Sequence, residues 1–379
     1  MKRTHFKLCV AFLLAAVVSA VGHPRAEAVI VATTTGNTTA PVDDFGFANV
    51  GIKGGATGVY LGYRWVLTAA HSLAADIVLN GRTYEWDEET NIRLKNPTDL
   101  ELTEFTDLRL FRITEDPWLP TIKIADEPLN AWDEVVMVGN GRDRADVLTA
   151  WEVTGTYNSG DEWTWTVTAP PGDVQGYYSE TYNTLRWGTN RVEPGMYAVK
   201  LSDTNQVLAF WTDFDQYNGT EFEAQATSGD SGGGVFHKNG DQWELVGIMS
   251  AVSDLPNQPS QALFELETYS ADLSIYVDQI LAIITPLGGD ANLDGIVNAR
   301  DAAIFAANWG RTDGVLWGHG DFNEDGVINQ LDAIILADNW GQTQAPAGSQ
   351  NADAVPEPSA IMLVLAGLIG LVARRVQPA

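Results

Sequence analysis

Short runs with apolar residues at alternate positions fill most of the chain between residues 29 and 286. Gly, Asn or Asp separates these runs, and the pattern predicts short β-strands joined by turns. Many short strands of this kind are typical of antiparallel sheets that close into barrels, so we expect an all-β region here. The clearest runs are residues 58–61, 65–67, 135–138, 163–167 and 245–249.

Residues 272–284 follow a helical period instead. Their apolar positions are three or four residues apart or adjacent, which predicts one buried helix face. A helix is therefore expected at the end of the β-rich region. The apolar positions are Leu273, Tyr276, Val277, Ile280, Leu281 and Ile284.

Residues 1–28 have the layout of a secretory signal peptide. Lys2, Arg3 and Lys7 lie at the start, an apolar run covers residues 8–18, and small residues follow. We expect cleavage after residue 28, with a second potential site after residue 20. The single cysteine, Cys9, lies inside this segment, so the exported protein should fold without disulfides.

The composition limits the partners of the protein. The chain has 379 residues, of which 45% are hydrophobic, enough for one large core with appendages. Its formal net charge of -28 would repel the phosphates of nucleic acids and anionic lipid surfaces. Nucleic acid is therefore not expected as a partner.

The segment 227–234, with the sequence TSGDSGGG, carries the strongest chemical signal. Ser231 is a potential nucleophile, and the flanking glycines let main-chain N–H groups approach its hydroxyl. A serine hydroxyl is a weak nucleophile at neutral pH unless a nearby base removes its proton.

The five histidines provide one base candidate. His5 and His23 lie in the export segment, and His319 lies far downstream. His237 follows the serine on a predicted strand and would lie too far along that strand to reach the hydroxyl. His71, in the segment LTAAHS, is therefore the predicted base.

An imidazole that acts as a base needs an acceptor for its second nitrogen, usually a buried carboxylate. Asp107 opens a long alternating strand and is the predicted acceptor. Asp99 is the alternative, although no comparable strand follows it.

The order His71, Asp107, Ser231, within the motifs TAAH, DLRL and GDSGG, resembles the trypsin-like (chymotrypsin-fold) serine endopeptidases. The resemblance covers roughly residues 29–286. It implies a double antiparallel β-barrel protease domain with a closing C-terminal helix, and peptide-bond hydrolysis by a triad through an acyl-enzyme. It also implies an oxyanion hole formed by the N–H groups of Gly229 and Ser231, with no cofactor for catalysis.

The resemblance also implies a substrate pocket. Gln225 is expected at its base, with Ser250 and Val252 on one wall. Since no carboxylate stands at the base, we expect small or medium uncharged residues before the cut. Ser72 and Thr227 occupy common cysteine positions of the family, which agrees with a fold that lacks disulfides.

An activation site is implied as well. Asp230 is expected to pair with the ammonium of a new N-terminus at Val29 or Ile30. The sequence departs from the family here, because Ala32-Thr33 stands in place of the usual Gly-Gly.

An internal repeat follows the protease-like region. Residues 289–301 return as residues 320–332, and each copy has oxygen-bearing side chains at loop positions 1, 3, 5, 9 and 12 with glycine at position 6. These are the ligand positions of an EF-hand calcium loop, in which position 7 contributes its carbonyl. Two calcium ions are predicted; an acidic turn without metal is the alternative. The predicted ligands are Asp290, Asn292, Asp294, Ile296, Asn298, Asp301, Asp321, Asn323, Asp325, Val327, Asn329 and Asp332.

Each loop leads into an apolar segment that ends in Asn-Trp-Gly, and we expect helices over residues 302–310 and 333–341. The pair resembles a dockerin domain. That resemblance implies a small α-helical module over residues 287–342 and a cohesin-like partner.

The C-terminus combines a linker with a short apolar segment. Residues 343–354 have a linker composition. In residues 355–379 a Pro-Glu-Pro motif precedes an apolar run over 360–373 and two arginines. This arrangement is similar to PEP-CTERM sorting signals and implies an exosortase-type processing enzyme in a Gram-negative-type envelope. A plain anchor, a transmembrane helix, is the alternative, although about 20 residues are needed to span a bilayer.

Together these features predict an exported or cell-surface serine endopeptidase tethered by a calcium-binding, dockerin-like module. The alternative is a catalytically silent binding or adhesion protein on a protease fold.

Overall fold

The computed structural model describes residues 29–34, 36–155, 163–259 and 261–344. The predicted signal peptide, the sorting signal and the linker from residue 345 onward lie outside these ranges. The described chain is mostly β-structure, with three α-helices near its end.

The first half of the described chain forms a seven-stranded antiparallel sheet. Its members are the second to eighth strands of the chain. Numbered in chain order, they lie side by side as 6-5-2-3-4-8-7. After the short strand β1 (Ile30–Val31), its members are β2 (Val50–Lys53), β3 (Ala56–Gly62), β4 (Trp65–Ala69), β5 (Ile77–Leu79), β6 (Arg82–Tyr84), β7 (Ile92–Lys95) and β8 (Phe105–Arg112).

The second half contributes another seven-stranded sheet, a smaller five-stranded sheet and one short strand. Its strands are β9 (Glu134–Gly139), β10 (Arg142–Arg144), β11 (Thr149–Thr154), β12 (Thr164–Thr168), β13 (Val174–Asn183), β14 (Arg186–Arg191), β15 (Tyr197–Ser202), β16 (Asn205–Asp213), β17 (Ala224–Gln225), β18 (Gly234–Asn239), β19 (Gln242–Val252), β20 (Gln261–Leu263) and β21 (Glu267–Asp272).

The second large sheet has the order β14-β9-β18-β19-β21-β16-β15. Strands β10, β13, β11 and β12 form the smaller sheet, with β20 paired to β13, and β1 pairs with β17. The two large sheets match the predicted antiparallel architecture. Because the described pairings follow open strand orders, the closure of each sheet into a barrel stays a prediction.

Alternate residues of the central strands face two different hydrophobic clusters. Val59 and Leu61 of β3 belong to a cluster shared by both large sheets, whereas Tyr60 belongs to a cluster on the other face of the first sheet. In β9, Val138 faces the shared cluster and Met137 faces a second-sheet cluster. Each such side chain contributes about 1.5–3 kcal/mol when fully buried, so the shared cluster holds the two sheets together.

Three helices follow the sheets: α1 (Val277–Ile284), α2 (Ala299–Asn308) and α3 (Gln330–Asp338). Helix α1 buries Ile280 and Ile284 in the shared cluster. The predicted start of this helix at residue 272 is wrong, because a 3-10 turn, Leu273–Ile275, precedes it. The side chain of Asp272 caps that turn by accepting from the Ser274 N–H.

The predicted bounds of the two later helices are also wrong. Both helices begin three residues earlier than expected, because Asn298 and Asn329 are their N-caps. Asp301 and Asp332 complete a capping box in each case. The helices end before the Asn-Trp-Gly segments are complete.

The helical module packs against the first large sheet near the β3–β4 turn. The Arg64 guanidinium donates to the carbonyl oxygens of Asn292 at 3.3 Å and Leu293 at 2.5 Å. The Tyr63 hydroxyl donates to Glu324 at 2.9 Å. Both loops of the repeat thus contact the protease-like region.

Within the ranges that the structure describes, no helix has the length and apolar character needed to cross a membrane. The apolar run over residues 360–373 lies outside those ranges.

Candidate active site

The three predicted catalytic side chains form one hydrogen-bonded chain. The Nε2 atom of His71 lies 2.8 Å from the Oγ atom of Ser231, and its Nδ1 atom lies 2.8 Å from Oδ2 of Asp107. His71 belongs to a 3-10 turn that directly follows β4, and Asp107 lies in the neighbouring strand β8. The serine lies in the loop before β18, so the two large sheets supply different members of the site.

Asp107 is completely buried and accepts three hydrogen bonds. Besides the imidazole, the main-chain N–H of His71 donates to it at 3.0 Å and the Asn205 amide donates at 2.9 Å. The rival acid Asp99 is an exposed residue of the 3-10 turn Thr98–Leu100. Asp107 therefore occupies the place beside His71.

Asn205 was missed by the reasoning from sequence. It stands at the start of β16, 98 residues from Asp107, where an asparagine reads as an ordinary turn residue. No local signal connects it with the site. His237 points elsewhere, as expected, because its Nδ1 atom lies 2.9 Å from the carbonyl oxygen of Glu134.

The loop around Ser231 requires glycine. Gly229 and Gly232 have φ values of 108° and 87°, which favour glycine over other residues. A Cβ atom at Gly229 would lie 2.5 Å from the Asn183 amide nitrogen. Among the described residues, no acceptor is bonded to the N–H of Gly229 or Ser231. An oxyanion hole at these two N–H groups stays a prediction.

Asp230 is buried beneath this loop and accepts main-chain N–H groups. Gly141 and Thr227 donate to its two carboxylate oxygens, each at 2.7 Å, and the N–H of Val29 also donates to it. Burial raises the pKa of Asp230 to about 7, although these hydrogen bonds act in the opposite direction. Ile30, the next residue, is fully buried and pairs with β17.

The predicted pocket residues lie in two strands. Gln225 is buried in β17, and its amide donates to the Leu266 carbonyl at 3.1 Å. Ser250 is buried in β19 and donates to the Ile248 carbonyl at 3.3 Å. Val252 is exposed at the end of that strand. The polar ends of Gln225 and Ser250 are therefore satisfied by the main chain, and their role in a pocket stays a prediction.

The two loops of the repeat have matching internal hydrogen bonds. The Gly295 N–H donates to Asp290 at 2.8 Å, and the Gly326 N–H donates to Asp321 at 3.0 Å. The last acid of each loop is completely buried. Two chain segments 31 residues apart thus fold in the same way.

The buried acids of the loops differ in their hydrogen bonding: Asp332 accepts three main-chain N–H groups, but Asp321 is less well satisfied. The Oδ1 atom of Asp321 is buried, and none of the described residues forms a hydrogen bond with it. Burial, and secondarily the nearby charge of Asp332, raises the pKa of Asp321; burial and Asp301 do the same for Asp290. Across the described ranges, however, no three His, Cys, Asp or Glu side chains are grouped so that they could hold a metal. Calcium binding therefore stays a prediction.

Residues 56–248, just over half of the chain, match the trypsin-like peptidase domain. The chain belongs to this trypsin-like family. The match begins at β3 and includes His71, Asp107 and Ser231. A trypsin-like domain acts on peptide bonds, so peptides or proteins are its substrates.

Residues 354–376 match the PEP-CTERM protein-sorting motif. This match indicates export, processing by an exosortase and association with the envelope in Gram-negative bacteria. Together, the sorting motif and the trypsin-like domain indicate an exported protease. No curated protein matches the chain.

Solved structures of similar proteins include serine proteases at low sequence identity. Mouse neuropsin, a serine protease expressed in the limbic system, is 18% identical, with a TM-score of 0.38 over 65% of this chain and 97% of its own. The Rv3671c protease of M. tuberculosis is 13% identical, with a TM-score of 0.34 over 61% and 73%. A mutant of human heparin binding protein (CAP37) is 13% identical, with a TM-score of 0.40 over 66% and 96%. The family assignment rests on the sequence match alone.

Proposed function

We propose that the protein is an exported serine endopeptidase that uses His71, Asp107 and Ser231 as a catalytic triad. The observation that supports it most is the continuous pair of 2.8 Å contacts from carboxylate to imidazole to hydroxyl. A buried carboxylate at Nδ1 selects the tautomer that carries its proton there. The Nε2 atom is then free to accept the serine proton.

In this mechanism Oγ of Ser231 bonds to the scissile carbonyl carbon while its proton passes to Nε2 of His71. The imidazolium then gives that proton to the leaving amine, the C–N bond breaks, and an acyl-enzyme remains. Water attacks the ester, again with its proton taken by the imidazole; the C–Oγ bond then breaks, the imidazolium returns the proton to Oγ of Ser231, and the acid is released. Asp107 orients the ring and stabilises its positive charge throughout.

The free N–H groups of Gly229 and Ser231 are the donors that we propose for the oxyanion of both tetrahedral intermediates. They are main-chain groups held in place by the loop, so no reorganisation is needed when the charge develops. Loss of one such donor typically costs about 10²–10³-fold in kcat.

Hydrolysis of an activated ester substrate, followed before the steady state, tests this proposal against the silent binding protein. The wild type should release about one equivalent of the leaving group in a rapid burst, because an activated ester acylates Ser231 faster than water hydrolyses the acyl-enzyme. Ser231→Ala should abolish the burst, whereas Ser228→Ala, an exposed serine in the same loop, should retain it. Equal rates for both variants would favour the silent binding protein.

For specificity we propose small or medium uncharged residues before the cut, as the trypsin-like resemblance implies for Gln225, Ser250 and Val252. The amide of Gln225 offers no negative charge to a basic side chain. A peptide library tests this preference. Strict cleavage after Lys or Arg would contradict it.

We propose that the mature enzyme begins at Val29. The Val29 N–H already donates to Asp230, so cleavage just before it would place an ammonium beside this buried carboxylate. An ion pair there would stabilise the loop that carries the nucleophile. N-terminal sequencing of active enzyme tests the assignment, and a start at Val21 would contradict it.

For the repeat we propose two calcium sites within a dockerin-like module that binds a cohesin-like partner. None of the described residues bonds to the buried Oδ1 atom of Asp321. This observation supports a metal site, because a hard cation would coordinate such an oxygen. The twelve ligands named above would hold the ions through oxygen atoms. Calcium would supply the positive charge that these buried acids lack.

Calorimetric titration of the full chain with calcium tests the sites. Two equivalents should bind, and Asp321→Asn should remove one of them. Absence of binding would leave the acidic-turn alternative. Binding of a cohesin-type domain, measured with and without calcium, tests the partner.

A further inference from the structure

Lys53, the last residue of β2, has a completely buried side chain. Its ammonium donates to the Ser72 carbonyl at 2.8 Å and the Ser72 hydroxyl at 3.2 Å, and it also donates to the Leu73 carbonyl. Among the described residues it contacts no carboxylate. Burial, and secondarily the charge of Arg109, lowers the pKa of Lys53 to about 8. A buried ammonium without a counterion is a cost to folding, so a role in stability does not explain it.

All three acceptors of Lys53 lie in the two residues that follow His71. Leu73 has φ 53° and ψ 163°, a conformation that residues with a side chain rarely adopt and that costs free energy. Its side chain is largely exposed, so side-chain packing does not hold it there. The bond from Lys53 to the Leu73 carbonyl therefore holds the chain in a strained turn directly after the imidazole.

A buried polar chain continues from this turn to the nucleophile loop. The Ser72 hydroxyl lies 3.2 Å from the Thr68 hydroxyl, which donates to the Thr57 carbonyl at 2.7 Å. Thr57 in turn donates its N–H to the Ser231 carbonyl at 3.0 Å and its hydroxyl to the Gly229 carbonyl at 2.9 Å. The turn that carries His71 and the loop that carries Ser231 are thus braced by one network.

We propose that Lys53 is a positioning residue that holds the turn bearing His71 at hydrogen-bonding distance from Ser231, in place of a covalent cross-link. The proposal rests on the triad proposed above. Ser72, which follows the histidine, has no thiol and cannot form a disulfide, and the only cysteine of the chain, Cys9, lies in the predicted signal peptide. Three hydrogen bonds from one ammonium supply the anchorage there.

Replacement of Lys53 by methionine tests this role. Methionine keeps the length and the apolar stem but donates no hydrogen bond. We expect Lys53→Met to fold with an unchanged or higher Tm, to keep its KM, and to lose kcat by about 10²-fold per titrated active site, as a displacement of about 1 Å at a catalytic group can cause. The control Lys95→Met, at an exposed lysine on β7, should change none of these values.

A rescue variant separates positioning from stability. Glycine adopts a positive φ without strain, so Leu73→Gly in the Lys53→Met background should restore part of the lost kcat. A stabilising role alone would not be rescued in kcat per active site.

The proposal would be overturned if Lys53→Met kept the wild-type kcat per active site. It would also be overturned if this variant failed to fold, or if its Tm fell markedly while its kcat stayed normal. Any of these three results would leave the proposed triad itself intact as long as Ser231→Ala is inactive and the wild type active. Lack of activity in the wild type would instead contradict the proposed function.

Discussion

The protease-like site and the loops of the repeat are built in opposite ways. His71 is 36 residues from Asp107 and 160 residues from Ser231, and two sheets with a shared core bring them together. Each loop of the repeat closes on itself through bonds between residues at most ten positions apart, such as that from Phe322 to Asp332. The comparison shows that the site is assembled from distant segments, whereas the bonds that close each loop are local and long-range contacts join the two copies to each other.

The two regions also differ in how their buried charge is compensated. Asp107 has three protein donors, and so has Asp332 of the second loop, but among the described residues Asp321 leaves one buried oxygen without a partner. We therefore expect the catalytic site to work without metal and the module to need a cation.

Removal of a triad member should have the largest effect. We expect Ser231→Ala and His71→Ala each to lower kcat by about 10⁶-fold, and Asp107→Asn to lower it by about 10⁴-fold because the wrong imidazole tautomer forms. Steady-state hydrolysis of a peptide measures this. Asp99→Asn is the matched control and should remain fully active; if it were the more damaging change, the assignment of the orienting acid would be wrong.

Calcium chelation should separate the two regions. Without a cation, repulsion among the acids of each loop should unfold the module, with loss of the far-ultraviolet helical signal and rapid proteolysis near Gly288. Cleavage of a small peptide by the full chain should largely survive. The magnesium-saturated sample with the same ionic strength serves as a control. If chelation abolished peptide cleavage, the regions would not be independent in the way proposed.

A smaller effect on kcat is expected when Asn205, whose amide donates to the Asp107 carboxylate, is replaced. Asn205→Ala removes one charged hydrogen bond to Asp107, for which about 1.5–3 kcal/mol is typical, so we expect kcat to fall at least about tenfold. Stopped-flow or steady-state kinetics with Asn239→Ala, an exposed asparagine on β18, as control measures this change. Unchanged kcat would show that the two remaining donors, both from His71, suffice to hold the Asp107 carboxylate in place.

The smallest effect concerns pH and Asp230. Its pKa of about 7 lies above the ordinary 3.8, so the folded chain binds an extra proton between these values and loses stability as pH rises through this window. The loss should be largest in unprocessed protein. An ammonium at Val29 favours the ionised carboxylate and should shrink the loss in the mature form. Thermal unfolding from pH 4 to 8 for both forms, with Asp230→Asn as control, measures this; identical pH dependence of both forms would contradict the ion pair.

Sequence alone predicted the strands of the central sheets, because their alternation reflects burial on two faces. It also predicted which histidine, acid and serine meet, since the motifs around His71, Asp107 and Ser231 are distinctive. It could not predict Asn205 or Lys53, whose contacts exist only after the strands pair. Helix ends were misplaced where capping by Asn298 and Asn329 overrode the apolar pattern.

Labelling with a fluorophosphonate, followed by mass spectrometric mapping, tests the central claim most directly. The account predicts one label per chain, on Ser231, in calcium and in chelator alike, because the three residues of the proposed triad all lie before the repeat. No label, or a label on another residue, would contradict it.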